Sequence, residues 1–143
     1  MNKKLFYISI ILIAILIISG CTGNPTIPGS SVNEESKIRS VIHEYALAIN
    51  AQNWTKAQSY CVYGSERYYA IAEIRDIFNT LHIYCNTVTI NLFIDVSNIY
   101  INGNYAQAYL TANLIITGCG EVYTEQDSGI THLQKIGNSW KFY

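Results

Sequence analysis

Few side chains in this sequence are able to carry chemistry: four thiols, at Cys21, Cys61, Cys85 and Cys119, and three imidazoles, at His43, His82 and His132. A thiol can act as a nucleophile, an acyl acceptor or half of a disulfide, and an imidazole moves protons near neutral pH. No Ser/His/Asp set, phosphate loop or metal-ligand spacing joins them, so the residues imply neither a cofactor nor a metal site. His43 lies beside an apolar helical stripe and His82 ends a helical segment. His132 shares parity with Ile130 and Ile136 in an alternating stretch, which would turn it toward a buried interior. A histidine without an acidic partner is more often structural than catalytic. The expectation is therefore no catalytic residue, with His132 as the one candidate.

The most specific pattern surrounds Cys21. Lys3 and Lys4 precede an apolar run from Leu5 to Ile18 that only Ser9 interrupts, the layout of an export signal. Ile18-Ser19-Gly20-Cys21 then resembles the lipobox of prokaryotic lipoproteins. That resemblance implies a signal peptide over residues 1–20, cleavage before Cys21, and a diacylglyceryl group on its thiol. Small side chains at Ser19 and Gly20 admit a peptidase to the backbone. An uncleaved helical anchor is the alternative, but a run of about 15 residues is short against the ~20 that cross a bilayer. Both readings tether the chain to a cell membrane with the rest on the extracytoplasmic face. Residues 21–32, rich in Gly, Pro, Ser and Thr, read as a flexible tether that reaches ~35 Å when extended.

The remaining part, residues 33–143, is the size of one domain. The chain has 143 residues, 50% hydrophobic and 13% charged, and much of the apolar excess sits in the N-terminal run. Counted from Cys21, the net charge moves from −1 to −3, a surface that does not favour nucleic acid.

Helices come first. Ser31-x-x-Glu34 is a capping-box pattern, and Ile38, Val41, Ile42, Tyr45 and Ile49 recur at helical spacing, which predicts a helix from Val32 to Ala51. Asn53 caps a short second helix whose face holds Trp54, Ala57 and Cys61, with Gly64 ending it. Ser65 caps a third, with a stripe of Ile71, Ile74, Ile77, Phe78 and Leu81. From Val88 the period becomes two: a strand to Ile101, the turn Asn102-Gly103-Asn104-Tyr105, and a second strand carrying Ala106, Ala108, Leu110, Ala112, Leu114 and Ile116 on one side. Apolar parity changes within the first strand, which requires one extra residue near Ser97-Asn98. With that bulge Val96 faces Leu110, Ile94 faces Ala112 and Val88 faces Gly118. A strand over Ile130 to Ile136, a turn at Gly137-Asn138 and a last strand ending at Tyr143 complete an α+β arrangement, helices packed in a curved antiparallel sheet.

Ala46-x-Ala48-x-Asn50-x-Gln52-Asn53-Trp54-x-x-Ala57, Gly103-Asn104-Tyr105-Ala106 and Gly137-Asn138-Ser139-Trp140-Lys141-Phe142 together resemble the helix junction and two hairpins of nuclear transport factor 2-like (NTF2-like) domains. The resemblance implies a cone with a pocket between sheet and helices, in a superfamily of enzymes and non-enzymatic modules. Its members resembling ketosteroid isomerase or scytalone dehydratase hold an acid, a His or a Tyr inside the cone. Asp95 lies on the parity opposite to the apolar face and should point outward. The expected role is a non-catalytic module that binds a small apolar ligand or an envelope protein, or pairs with a second copy through its sheet. The alternatives are a small isomerase or dehydratase, and a structural spacer.

With Cys21 acylated, three cysteines remain. In the expected register Cys119 lies opposite Thr87, so Cys85 is its diagonal neighbour, and local fraying would let the two bridge. Cys61 and Cys85 are held apart by a helix of about 24 Å. Three buried or free thiols are the other reading. Tyr60, Tyr63, Tyr68 and Tyr69, four of twelve tyrosines, cluster around the turn between the second and third helices and with Trp54 are a candidate pocket lining. Asn53-Trp54-Thr55 fits a glycosylation sequon, but Asn53 is needed as a helix cap.

Overall fold

The computed structural model describes residues 32–143, and the expected signal peptide, the expected lipid site at Cys21, the expected tether to Ser31 and the expected Ser31 cap lie outside them. The chain runs α1 (Val32–Asn50), α2 (Trp54–Ser59), α3 (Glu66–Tyr84), then β1 (Val88–Asn102), β2 (Tyr105–Gly118), β3 (Glu121–Ile136) and β4 (Ser139–Phe142). Val32, counted with the tether in the sequence, is already helical.

Each helix buries the stripe its spacing foretells. α1 buries Ile38, Ile42, Tyr45 and Ile49, and α3 buries Ile71, Ile74, Phe78 and Leu81. Asn53 accepts a hydrogen bond from the Lys56 amide at 3.0 Å, and the Ser65 hydroxyl accepts one from the Tyr68 amide at 3.2 Å. These caps satisfy amides that have no partner within the helix. α2 is shorter than its sequence suggests. It stops at Ser59, because Tyr60 and Val62 give their backbone to β4: the Phe142 amide donates to the Tyr60 carbonyl and the Val62 amide to the Phe142 carbonyl, at 2.9 and 2.7 Å. Cys61 therefore sits in a bridge beside Phe142, and Gly64, with φ +79°, shapes the following turn.

The sheet is antiparallel in the order β1-β2-β3-β4. Its first hairpin has the expected register: Asn102 pairs with Tyr105, Ile99 with Ala108, Val96 with Leu110 and Val88 with Gly118, with the irregularity between Val96 and Asn98. Asp95 is exposed, as parity requires. β3 begins at Glu121 rather than Ile130, after a two-residue turn at Cys119-Gly120. Both turn residues have positive φ, 52° and 77°, the conformation that matches a two-residue turn to strand twist.

α1 also completes the outer edge of β1. The Asn50 amide group donates to the Leu92 carbonyl at 3.0 Å while its oxygen accepts from the Leu92 amide. Gln52 donates to the Val88 carbonyl at 2.9 Å, and Arg39 to the Val96 carbonyl at 2.6 Å. Three side chains thus occupy backbone groups at every fourth strand residue, a device that closes an edge to other strands. The core lies between α1, α3 and the concave face of the sheet, where Leu92, Ala108, Leu114, Ile116, Leu133, Trp140 and Phe142 are buried. Among the described residues no helix is long and apolar enough to cross a membrane.

Candidate functional site

Strand pairing decides which histidine faces what. Ala106 and Ala108, on the buried side of β2, pair with Leu133 and Thr131, so the inward parity of β3 is odd. His132, paired with Gln107, projects from the outer face of the sheet and not into the cone. The parity reading fails because Ile130 is only half-buried and Ile136 is 46% exposed; neither is a core marker. His43 and His82 are exposed on their helices, and the His82 ring lies 3.1 Å from the Gln52 side-chain oxygen.

Inside the cone the C-terminal residues act as a plug. Phe142 stacks on Tyr45 with ring centroids 4.7 Å apart, and the Arg67 guanidinium lies 5.4 Å from the Phe142 centroid. The cavity left beside Tyr45, Arg67, Thr131 and Phe142 measures about 20 Å³, room for one water. The Tyr45 hydroxyl is buried there beside the Arg67 guanidinium. Burial pushes its pKa up to about 12, against the opposing pull of the Arg67 charge.

A larger recess lies on the outer face near the β1–β2 turn. It measures about 160 Å³, and Tyr100, Tyr105, Gln107, His132 and Tyr143 line it with Asn102 and Ala106. The Gln107 side-chain nitrogen is 3.3 Å from the His132 Nε2, and the Gln107 oxygen is buried with no partner. Whichever way this amide is turned, one end meets the imidazole and the other is left over. Tyr143 is ordered beside it: its amide donates to the His132 carbonyl at 3.3 Å, and its ring lies 6.1 Å from His132 and 6.0 Å from Tyr105.

Beside this recess the start of α1 is latched to the last hairpin. Glu34 accepts hydrogen bonds from the Trp140 indole at 2.9 Å, from Lys135 at 2.8 Å and from Lys37 at 2.8 Å. Lys135, then Lys37 and Trp140, hold its carboxyl down at about 2. Sequence reading assigned Glu34 only to a cap; the long-range partners 101 and 106 residues away have no local signature.

The aromatic cluster does not line either cavity. Trp54 packs on Phe78 at 5.3 Å, while Tyr63, Tyr68 and Tyr69 contact one another edge-on, with Tyr63 83% exposed. Tyr60 is packed against the core. Cys85 and Cys119 form a disulfide with Cα atoms 4.9 Å apart. The fraying it needs is present: β1 starts only at Val88, and Cys119 turns back with positive φ. Cys61 is free and buried, and desolvation pushes its thiol up to about 12. Among the described residues no group of three or more His, Cys, Asp or Glu is placed to hold a metal.

By sequence the chain matches no family model and no curated protein. Solved structures share its fold. A conserved protein from Planctomyces limnophilus superposes with a TM-score of 0.63 at 14% identity, over 78% of this chain and 92% of its own. A ketosteroid isomerase-like protein from Erwinia carotovora atroseptica gives 0.57 at 13%, over 78% and 92%. An NTF2-like protein with a cystatin-like fold from Novosphingobium aromaticivorans gives 0.58 at 14%, over 78% of each chain. Three helices held against a curled four-stranded sheet, superposing on these structures, give this chain the NTF2-like α+β cone fold.

Proposed function

We propose that the chain is an extracytoplasmic lipoprotein, anchored through Cys21, whose cone-shaped domain binds a small ligand on the outer face of its sheet without catalysing a reaction. The observation that carries this reading is the contrast between two spaces. The cone interior is closed by Tyr45, Phe142 and Trp140, leaving about 20 Å³, whereas pockets that enclose drug-sized ligands measure ~300–1,000 Å³. A substrate of isomerase size would have to displace the core. The outer recess is open, and it offers aromatic walls with the Gln107–His132 pair among its lining. That combination suits a small ring compound with an apolar face and a single polar group, because the ring replaces water on Tyr100 and Tyr143 while the polar group meets the Gln107–His132 pair. The Cys85–Cys119 disulfide favours an oxidising compartment, in keeping with export.

An NMR titration of the chain with simple ring compounds, such as phenol, indole and glucose, tests this reading. Amide shifts should cluster at Tyr100, Gln107, His132 and Tyr143 and vanish in Gln107→Leu. Shifts centred on Tyr45 and Thr131, or turnover of a β,γ-unsaturated ketone, would overturn it. Shifts that depend on protein concentration alone would assign the face to self-association instead.

A further inference from the structure

Three chain segments meet at one end of the domain. The Lys135 amide donates to the Asn104 carbonyl at 2.7 Å, which joins the β1–β2 turn to β3, and Gln134 reaches the Tyr105 hydroxyl at 3.4 Å. Glu34 ties the start of α1 to Lys135 and Trp140 at the same place. The tether therefore enters the domain where the β1–β2 and β3–β4 turns lie. The disulfide lies at the other end, because α1 rises about 24 Å from Glu34 to Asn50 at 1.5 Å per residue, and Gln52 just beyond it bonds Val88 at the start of β1.

Exposed apolar side chains occur at both ends, since Ile83, Val122 and Tyr84 beside the disulfide are 78%, 61% and 59% exposed, so charge is what sets the tether end apart. Val32 is 86% exposed, Tyr105 51%, Tyr143 49% and Ile136 46%. Lys37, Arg39, Lys135 and Lys141 stand there against Glu34 and Glu35, a side-chain balance of +2. The other residues from Cys21 onward carry three bases and eight acids, a balance of −5. Tyrosine and lysine are the side chains that settle at a lipid–water boundary, the ring beside the headgroups and the ammonium reaching anionic oxygens.

We propose that this tether end is a membrane-docking face that seats on the anionic headgroup layer of the bilayer that holds the Cys21 lipid. The inference rests on the lipoprotein reading. It adds an orientation: Tyr105 and Tyr143 at the headgroups, Lys141 toward lipid phosphates, and the acidic remainder turned away. Chain length supports this occupant. Eleven residue steps from Cys21 to Val32 reach at most ~36 Å, so the face stays near the surface, and a weak contact is populated at the resulting high local concentration. The recess at Gln107 and His132 borders the face, so its ligand is met at headgroup level.

Hydrogen exchange read by mass spectrometry, on the full lipidated chain in vesicles of phosphatidylcholine with or without phosphatidylglycerol, tests the docking. Residues 102–107 and 134–143 should exchange roughly fivefold more slowly on the phosphatidylglycerol vesicles than on phosphatidylcholine alone. A triple variant, Tyr105→Ser with Tyr143→Ser and Lys141→Glu, should lose that protection while residues 108–116 exchange as before, which controls for folding. Vesicles that retain the chain but leave both turns exchanging equally overturn the docking alone. A chain that stays in the supernatant overturns the anchor, and the docking with it.

Discussion

Asn50 in α1 exchanges two hydrogen bonds with the backbone of Leu92 in β1, occupying both its amide and its carbonyl as a neighbouring strand would. With Gln52 on Val88 and Arg39 on Val96, the helix serves as the missing strand at that edge. This fixes α1 along the sheet and so places Tyr45 over the cone and Glu34 over the last hairpin.

Replacing Asn50 with Leu, which keeps the volume and removes both partners, leaves an amide and a carbonyl unsatisfied. Each costs about 1–3 kcal/mol when shielded from water. Urea unfolding should show a loss of ~2 kcal/mol or more, and an unchanged midpoint would mean the pair contributes nothing.

The latch at Glu34 makes stability depend on acid. Its folded pKa, about 2, lies below the ordinary 4.5, so the contribution is complete above 4.5 and is lost as pH falls through about 2, below which both states are protonated. Thermal midpoints recorded from pH 6 to pH 2 should fall less steeply across that window in Glu34→Gln than in the parent. Parallel curves would remove the carboxylate from the account.

Reduction tests the cross-link. Cys85 and Cys119 are 34 residues apart, and the loop-entropy estimate for that separation is about 3–4 kcal/mol. Cys85→Ser with Cys119→Ser should lower stability by roughly this amount and make it insensitive to dithiothreitol. In the parent, a thiol reagent at pH 8 should leave buried Cys61 unmodified until the chain unfolds, because its thiol is pushed up to about 12.

Phe142 is the stopper of the cone. Phe142→Ala should cost about 3–5 kcal/mol and open an apolar space beside Tyr45. Benzene should then raise the melting temperature of the variant and leave the parent unaffected. An equal response in both would show that the parent interior is already open.

Much of this fold was legible because local chemistry and tertiary need coincide. Asn53 and Ser65 cap the helices they precede, and the parity change across Ser97 has one remedy, a bulge, which sets the whole first hairpin. Where both faces of a strand carry apolar residues, parity loses its direction. Ile130 and Leu133 point opposite ways, and only the pairing of β3 with β2 tells which is inside, so His132 was misdirected. The first half of β3, Glu121 to Ser128, is too polar on both sides to announce a strand. The tyrosines between α2 and α3 read as a lining by composition, while in the structure Trp54, Tyr60 and Tyr68 pack against the core and Tyr63 and Tyr69 are exposed. Of the candidate site, the residues Gln107, Tyr100 and Tyr143 had no signal beyond strand propensity, and Glu34 needed contacts more than a hundred residues distant.

Intact-mass and fragment spectrometry of the N-terminal peptide from the membrane fraction tests the proposed anchoring most directly. The account predicts a mature chain beginning at Cys21 with a diacylglyceryl adduct on its sulfur, and a Cys21→Ala variant that is no longer processed to that form. An unacylated chain that still begins at Met1 and partitions with the membrane would contradict it.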